Sequence, residues 1–328
     1  MLPRAVKDSV LRVVYFGSPE FAVPTLQSLA TSPTFDVALV VTQGAKGASP
    51  VEKTAQSLGL PVYKPATLRD PESRVPLIEA EADLFVVAAF GLIFRQRTLD
   101  IPRLGAVNVH PSLLPKYRGA SPMTAAIEAG DTETGVSLMV MDPGIDTGAV
   151  ISIEHAGVMS DDTTGSLGSR LADLGAAQAV RDIPRWVAGE LSAVPQPNQN
   201  ASLTRTLTKA DGWISWSRPA VEIERHVRAM WPWPRAWTTI HGTPVQIHRA
   251  MISEVTIDAQ TPGSVISARK QLIVACGEGA LELVTVEPAG RRAMQANAYL
   301  NGLRAPLRRL GDAGAPPAQG PLIVPIDS

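Results

Sequence analysis

The sequence predicts an α/β protein: a doubly wound, mostly parallel sheet followed by a small C-terminal β-barrel. Apolar runs alternate with amphipathic helical stretches through the first half of the chain, the order that builds parallel sheets flanked by helices. Leu84-Phe85-Val86-Val87-Ala88-Ala89 is apolar without interruption, as a strand covered on both faces should be. Past residue 235, short strand-like segments follow one another closely, separated by glycine or proline.

Val10 to Phe16 reads as the first buried strand and Gly17-Ser18-Pro19 as a tight turn. Ser18 suits the cap of the next helix and Pro19 its first turn. Phe21, Val23, Leu26 and Leu29 mark that helix's apolar face. The start is Rossmann-like, but Gly17-Ser18-Pro19-Glu20-Phe21-Ala22 lacks G-x-G-x-x-G, so no dinucleotide is inferred. Further strands are expected at 36–42, 61–63 and 84–89, with helices near 50–58 and 71–81. Phe90-Gly91 then offers either a plain turn glycine or a place where backbone approaches a ligand.

A helical period covers 160–189, with Leu167, Leu171, Leu174, Ala177 and Val180 on one side. Asp161 and Asp162 lie near its start, where negative charge is favourable. Val194-Pro195-Gln196-Pro197-Asn198-Gln199-Asn200 breaks the regularity. The expected organisation is a first domain at 1–193, a linker at 194–206, a barrel at 207–312 and an irregular Pro/Gly/Ala-rich tail at 313–328. Within the barrel region, 219–230 reads as a helix, followed by Trp231-Pro232-Trp233-Pro234. Strands at 236–240, 244–248, 264–268, 271–275 and 280–286 would close an OB-like barrel. Trp213, Trp216, Trp231, Trp233 and Trp237 could stack on bases, but core packing and domain docking are the commoner roles.

The chemistry centres on Val107-Asn108-Val109-His110-Pro111. In a strand, Asn108 and His110 share one face while Val107 and Val109 face the core. Pro111 cannot donate to a ladder, so the strand should stop there and present both polar residues at its carboxyl end, where open α/β sheets bind ligands. The bland alternative makes Asn108 a turn residue and His110 a satisfied core histidine. A second apolar strand, 136–141, opens into Asp142-Pro143-Gly144-Ile145-Asp146-Thr147-Gly148, and two polar loops of this kind point to one shared site.

At 328 residues, two domains are expected, and 45% hydrophobic with 19% charged residues is ordinary globular composition. Cys276 has no second cysteine to pair with, fits a reducing compartment and reads as a small packed hydrophobe. No run approaches the roughly 20 apolar residues of a membrane span, and Met1 to Val10 lacks a signal-peptide core. A cytoplasmic, monomeric protein without membrane contact is expected. There is no P-loop, no H-E-x-x-H and no cysteine pair to support ATP hydrolysis or structural zinc. The formal net charge of −1 hides an asymmetry: residues 205–310 hold 14 Lys/Arg against 8 Asp/Glu. Residues 1–204 hold 16 against 21. A basic second half suits a polyanionic partner, and solvated surface alone could also give it.

Asn108-Val109-His110-Pro111-Ser112-Leu113-Leu114-Pro115, Tyr117-Arg118-Gly119 and Asp142 through Gly148 resemble the formyltetrahydrofolate-dependent formyltransferases. Phe16 through Ala22, Pro232-Trp233-Pro234 and Pro288-Ala289-Gly290-Arg291-Arg292-Ala293-Met294 resemble the branch of that family acting on methionyl-tRNA. The resemblance runs from about Leu11 to Arg309. It implies formyl transfer from 10-formyltetrahydrofolate to the methionine amino group on initiator methionyl-tRNA, without a metal. By the same resemblance Asn108, His110 and Asp146 would be catalytic. Ser112, Leu113, Leu114 and Pro115 would line the folate site, with Phe90, Gly91, Leu92 and Asp142 helping to hold the pterin. Lys46, Arg291, Arg292, Arg304 and Arg308 would meet tRNA, with Arg309 beside them on the barrel. One departure stands out. Where the family carries a longer basic loop opening Thr-Gln-Pro-Asp-Arg-Pro, Gln43 here runs straight into Gly44-Ala45-Lys46-Gly47-Ala48-Ser49-Pro50, with Lys46 as its single cation.

The residue types suit that chemistry on their own. Amine attack on a formyl carbon places negative charge on oxygen, to which Asn108 can donate without titrating, with His110 as a second donor. Asp146 and His110 can share the proton movements. Other amine acceptors, such as a sugar amine or glycinamide ribonucleotide, or water, would fit the same chemistry. A silent folate- or RNA-binding module has no need of all three polar residues.

Overall fold

The structure is a computed structural model describing residues 10–43, 47–256, 260–267, 270–303, 305–311, 314–317 and 320–326. It opens with β1 (Leu11–Gly17), a 3₁₀ turn (Glu20–Ala22), α1 (Val23–Thr31), β2 (Phe35–Val41), α2 (Pro50–Ser57), β3 (Val62–Tyr63) and α3 (Pro71–Glu79). It continues through β4 (Leu84–Ala88), α4 (Gln96–Leu99), β5 (Ala106–His110), β6 (Arg118–Gly119), α5 (Pro122–Ala129), β7 (Glu133–Val140), β8 (Val150–Gly157) and α6 (Thr164–Val187). Then come β9 (Ser202–Thr204), α7 (Ala220–Ala229), β10 (Ala236–Ile240), β11 (Thr243–Ser253), β12 (Val265–Ser267) and β13 (Leu272–Ala275). Finally come β14 (Ala280–Pro288), β15 (Met294–Gln295), α8 (Ala296–Asn301) and β16 (Ile323–Pro325).

The first sheet has the order β3-β2-β1-β4-β5-β7-β8. Its first five strands are parallel, whereas β7 runs against β5 and β8 against β7. Strand order reverses between β1 and β4, the crevice where doubly wound sheets bind ligands. The uninterrupted apolar runs have a simple cause. Val13, Tyr15, Leu84, Val86 and Ala88 pack into one buried layer with α1 and α6, while Val14, Phe16, Phe85 and Val87 pack into the other. On α6, Leu167, Leu171 and Ile183 are fully buried, each worth roughly 1.5–3 kcal/mol. Its start is set by Thr163, which exchanges capping hydrogen bonds with Ser166.

The second sheet is antiparallel throughout, β10-β11-β14-β13-β12 with β15 on β14. Irregular register around Ile247–Ala250 bends the long β11, as bulges do, and gives the sheet its barrel-like curl. Trp216 is buried and donates to Thr238 at 3.0 Å, and Trp213 and Trp237 meet edge to face. Trp231 lies against His248, so packing accounts for four of the five tryptophans, and Trp233 is exposed. Cys276 is buried, and burial pushes its thiol up to about 12.

Three local expectations change. Ser18 caps no helix: its hydroxyl accepts from the Gln43 amide at 3.0 Å and from the Thr42 hydroxyl, tying the β1 turn to the end of β2. The irregular linker and the irregular tail each contribute a strand. β9 and β16 join β6 in a third, three-stranded sheet, because the main-chain groups of Arg118–Gly119 find partners in Leu203 and Thr204. Lys46 and Arg304 lie outside the described residues.

The two large sheets meet through α5 and α7. Glu128 accepts from Arg218 at 2.8 Å and faces His226 Nδ1 at 3.2 Å. Burial alone would raise the Glu128 carboxyl, but His226 and Arg218 hold it below the ordinary carboxylate range. A depressed folded-state value adds stability above the unfolded carboxylate range, and that stability is lost as pH falls through the folded value. Glu128→Gln should therefore lower stability by about 1.5–3 kcal/mol at neutral pH. The gap from wild type should shrink in thermal melts below about pH 4.

Candidate functional site

A cavity of about 770 Å³ opens at the carboxyl ends of β1, β4 and β5. Ser18, Gln43, Phe90, Gly91, Leu92, Asn108, His110, Gly119, Met123, Asp142 and Asp146 are among its lining residues. Phe90 and Phe94 line it, and their rings pack on the fully buried Phe16, itself against Phe85, with ring centroids 5.0–5.9 Å apart. Such a slot favours a flat, largely apolar ring system.

Strand β5 presents the polar pair as alternation predicts: Val107 and Val109 are buried in the core, while Asn108 and His110 line the cavity. The loop carrying Asp146 reaches them by an unexpected route. Because β7 is antiparallel to β5, its last residue, Val140, sits opposite Val107, away from the carboxyl end of β5. The 141–149 loop folds back along the cavity to reach Asn108 and His110. Gly148 permits the return, since a Cβ there would sit 1.8 Å from the Val140 carbonyl oxygen. The Asp142 carboxylate braces the turn, accepting from the Gly144 amide at 3.0 Å and the Thr147 hydroxyl at 2.6 Å.

Asp146 ends 18% exposed, with both oxygens engaged. Oδ1 accepts from Asn108 Nδ2 at 3.2 Å, Oδ2 accepts from the Gly119 amide at 2.8 Å, and His110 Nδ1 lies 3.6 Å from Oδ2. His110 is 4% exposed, and its Nε2 lies 2.9 Å from the Tyr117 carbonyl. A carbonyl can only accept, so Nε2 donates its hydrogen to Tyr117, and Nδ1 is the ring nitrogen turned toward Asp146. Both readings of His110 therefore hold in part: one nitrogen is satisfied as in a core histidine, and the other is offered to the site. Asn108 spends one N–H on Asp146 and keeps a second for a ligand. Ala89, Tyr117 and Asp146 all have left-handed backbones, and such conformations gather at functional sites.

Ser112, Leu113, Leu114 and Pro115 do not line the cavity. After Pro111 the chain turns against β7, where Ser137 donates to the Ser112 carbonyl at 2.7 Å. Ser112 is fully buried and donates to the Lys116 carbonyl at 2.6 Å, while the Leu114 amide donates to Ser137 at 3.1 Å. These residues hold the turn that aims Tyr117–Gly119 at the site. Arg291, Arg292 and Arg308 are exposed, with no carboxylate within ion-pair distance among the described residues. Sequence reasoning missed Ser18, Gln43, Gly119 and Met123 as lining residues, and also Gln196. The Gln196 side chain donates to the Asp146 and Gly148 carbonyls, both at 2.8 Å, and accepts from Arg118 Nε at 3.0 Å. Its one sequence signal is a polar residue held between two prolines.

A neutral amide donor, a histidine with one ring nitrogen turned to the cavity and a carboxylate, set over an aromatic slot, define a site for acyl-type group transfer. The chain belongs to the formyl transferase family, whose model matches residues 11–183, with the C-terminal domain of formyl transferases matching residues 206–304. It is 42% identical over 309 residues to the methionyl-tRNA formyltransferase of Methylococcus capsulatus, covering 92% of this chain and 100% of that protein. The Myxococcus xanthus methionyl-tRNA formyltransferase is 42% identical over 300 residues, covering 89% of this chain and 95% of that one. The fold is shared with an N-formyltransferase from Helicobacter canadensis, in complex with folinic acid and dTDP-3-aminofucose. That likeness has a TM-score of 0.63 at 18% identity and spans 83% of this chain and 98% of that one.

Gly119 combines φ +94 with a Cβ position only 2.2 Å from the Thr204 carbonyl oxygen. Gly119→Ala should displace its amide from Asp146 and lower the rate of group transfer by roughly 10–100-fold. Binding of a folate in the cavity, followed by fluorescence, should change far less.

Proposed function

We propose that this protein transfers the formyl group of 10-formyltetrahydrofolate to the α-amino group of methionine on initiator methionyl-tRNA, a step of translation initiation. The observation that carries the proposal is the convergence of Asn108, His110 and Asp146 at the rim of the aromatic slot. The full-length relatives that bear that name support the acceptor.

In this reading the folate ring enters the slot beside Phe90, Gly91 and Leu92, with Asp142 at its edge. The amine nitrogen attacks the formyl carbon, and the carbonyl electron pair moves onto oxygen. Asn108 and His110 donate to that oxygen. The nitrogen's proton passes through water to Asp146, His110 Nδ1 gives one to the folate nitrogen as the carbon–nitrogen bond breaks, and Asp146 then hands its proton to Nδ1, 3.6 Å away, so that both groups are restored. Transfer is direct, with no formyl-enzyme intermediate. Residues 1–193 form the catalytic domain, 194–206 the linker, 207–312 the tRNA-binding barrel and 313–328 the tail, in a monomeric cytoplasmic enzyme. Exposed Arg291, Arg292 and Arg308 supply phosphate contacts.

The purified protein should formylate methionyl-tRNA, and neither formylate free methionine nor release formate without an acceptor. Formate release alone would make it a hydrolase instead. Asn108→Ala should slow transfer by about 10²–10³. Binding of tRNA should weaken steeply with salt, and replacing Arg291 or Arg292 by Ala should each flatten that slope by about 1.

A further inference from the structure

Gln196 lies in the stretch joining the two large sheets, 50 residues from Asp146 in sequence, yet its carboxamide is fully occupied at the site. Both N–H groups go to the carbonyls of Asp146 and Gly148, each at 2.8 Å, and its oxygen accepts from Arg118 at 3.0 Å. Two residues earlier, Val194 and Val150 exchange main-chain hydrogen bonds of 2.8 Å, pinning this part of the chain to the start of β8. Arg118 is 5% exposed and has no carboxylate within ion-pair distance among the described residues. Its neighbour in β6 is Gly119, which donates to Asp146. Gln196 thus clamps the returning loop from behind and ties it to the strand that holds the Asp146 carboxylate from the front. It lies outside the cavity lining.

We infer that Gln196 is a positioning residue for the transfer reaction, holding the Asp146 loop in register with Asn108 and His110 through its two donated hydrogen bonds. The inference rests on the reading of Asp146 as part of the transfer site. A carboxamide is the group required here, because two carbonyls demand donors while Arg118 demands an acceptor. A carboxylate of the same shape satisfies Arg118 alone.

That difference supplies the test. Gln196→Glu keeps its partner in Arg118 but loses both donors, so its Tm should stay within about 3 °C of wild type. Its kcat for formyl transfer to methionyl-tRNA should fall roughly 10–100-fold, with KM for folate and for tRNA within about twofold. Gln196→Met, apolar and of similar length, should lose kcat in the same way. In both variants, hydrogen exchange at the Gly119 amide and across 142–148 should quicken, a readout that needs no turnover. Wild-type kcat in both variants, or unchanged exchange, would overturn the inference. A raised KM for tRNA with kcat retained would make Gln196 an acceptor contact instead. If the wild-type enzyme transfers no formyl group, the proposed reaction fails, while the exchange measurement still decides whether Gln196 holds the loop.

Discussion

The Asp146 carboxylate is the constraint around which the site is built. It takes hydrogen bonds from a strand residue, Asn108, and from the Gly119 amide, and it faces Nδ1 of His110. These groups come from three separate segments, so their geometry is only as good as the agreement among β5, β6 and the 141–149 loop. A half-buried carboxylate tolerates this position because its oxygens are matched by donors, and an unmatched one would pay the full cost of desolvation. The backbone carries part of the burden, with Asp146 and Tyr117 both in the left-handed region.

Mixed strand direction has consequences for that agreement. A parallel β7 would have delivered its loop to the carboxyl end of β5 directly. The antiparallel one forces the loop to travel back along the cavity, and the return needs support at each point: Gly148 against Val140, Asp142 inside the turn and Gln196 behind. The third sheet gives the same kind of support to β6. Ser202 accepts from the Tyr117 amide at 2.9 Å, and the Thr204 hydroxyl donates to the Arg118 carbonyl at 2.9 Å. The chain between the two large sheets therefore backs the segments that form the site, without lining the cavity itself. Glu128, Arg218 and His226 add a charged clasp between α5 and α7, which keeps the barrel in a defined place relative to that wall.

Periodicity and side-chain chemistry determined a good deal by themselves. A chain with apolar residues on both faces of β1 and β4 has to bury both faces, which requires helical layers on either side. Alternation at 107–110 dictated which side chains face the core, and Pro111 dictated where the strand ends, since a proline cannot extend the ladder. A single cysteine and the close-spaced strands after residue 235 were equally direct.

Tertiary structure decided the rest. The bonds that place Asp146 span 27 and 38 residues, and the Gln196 clamp spans 50. Local pattern cannot encode such contacts, because they depend on which way the chain returns. The family resemblance places Ser112–Pro115 in the folate site, yet none of them lines the cavity, and buried Ser112 satisfies its hydroxyl on the Lys116 carbonyl. The linker and tail carry no period because two or three residues cannot show one, and they form strands only where partners are open: Arg118 and Gly119 for β9, and β9 in turn for β16. Residue type and spacing specify what a segment can do; where a buried polar group finds its partner is settled by the folded chain as a whole.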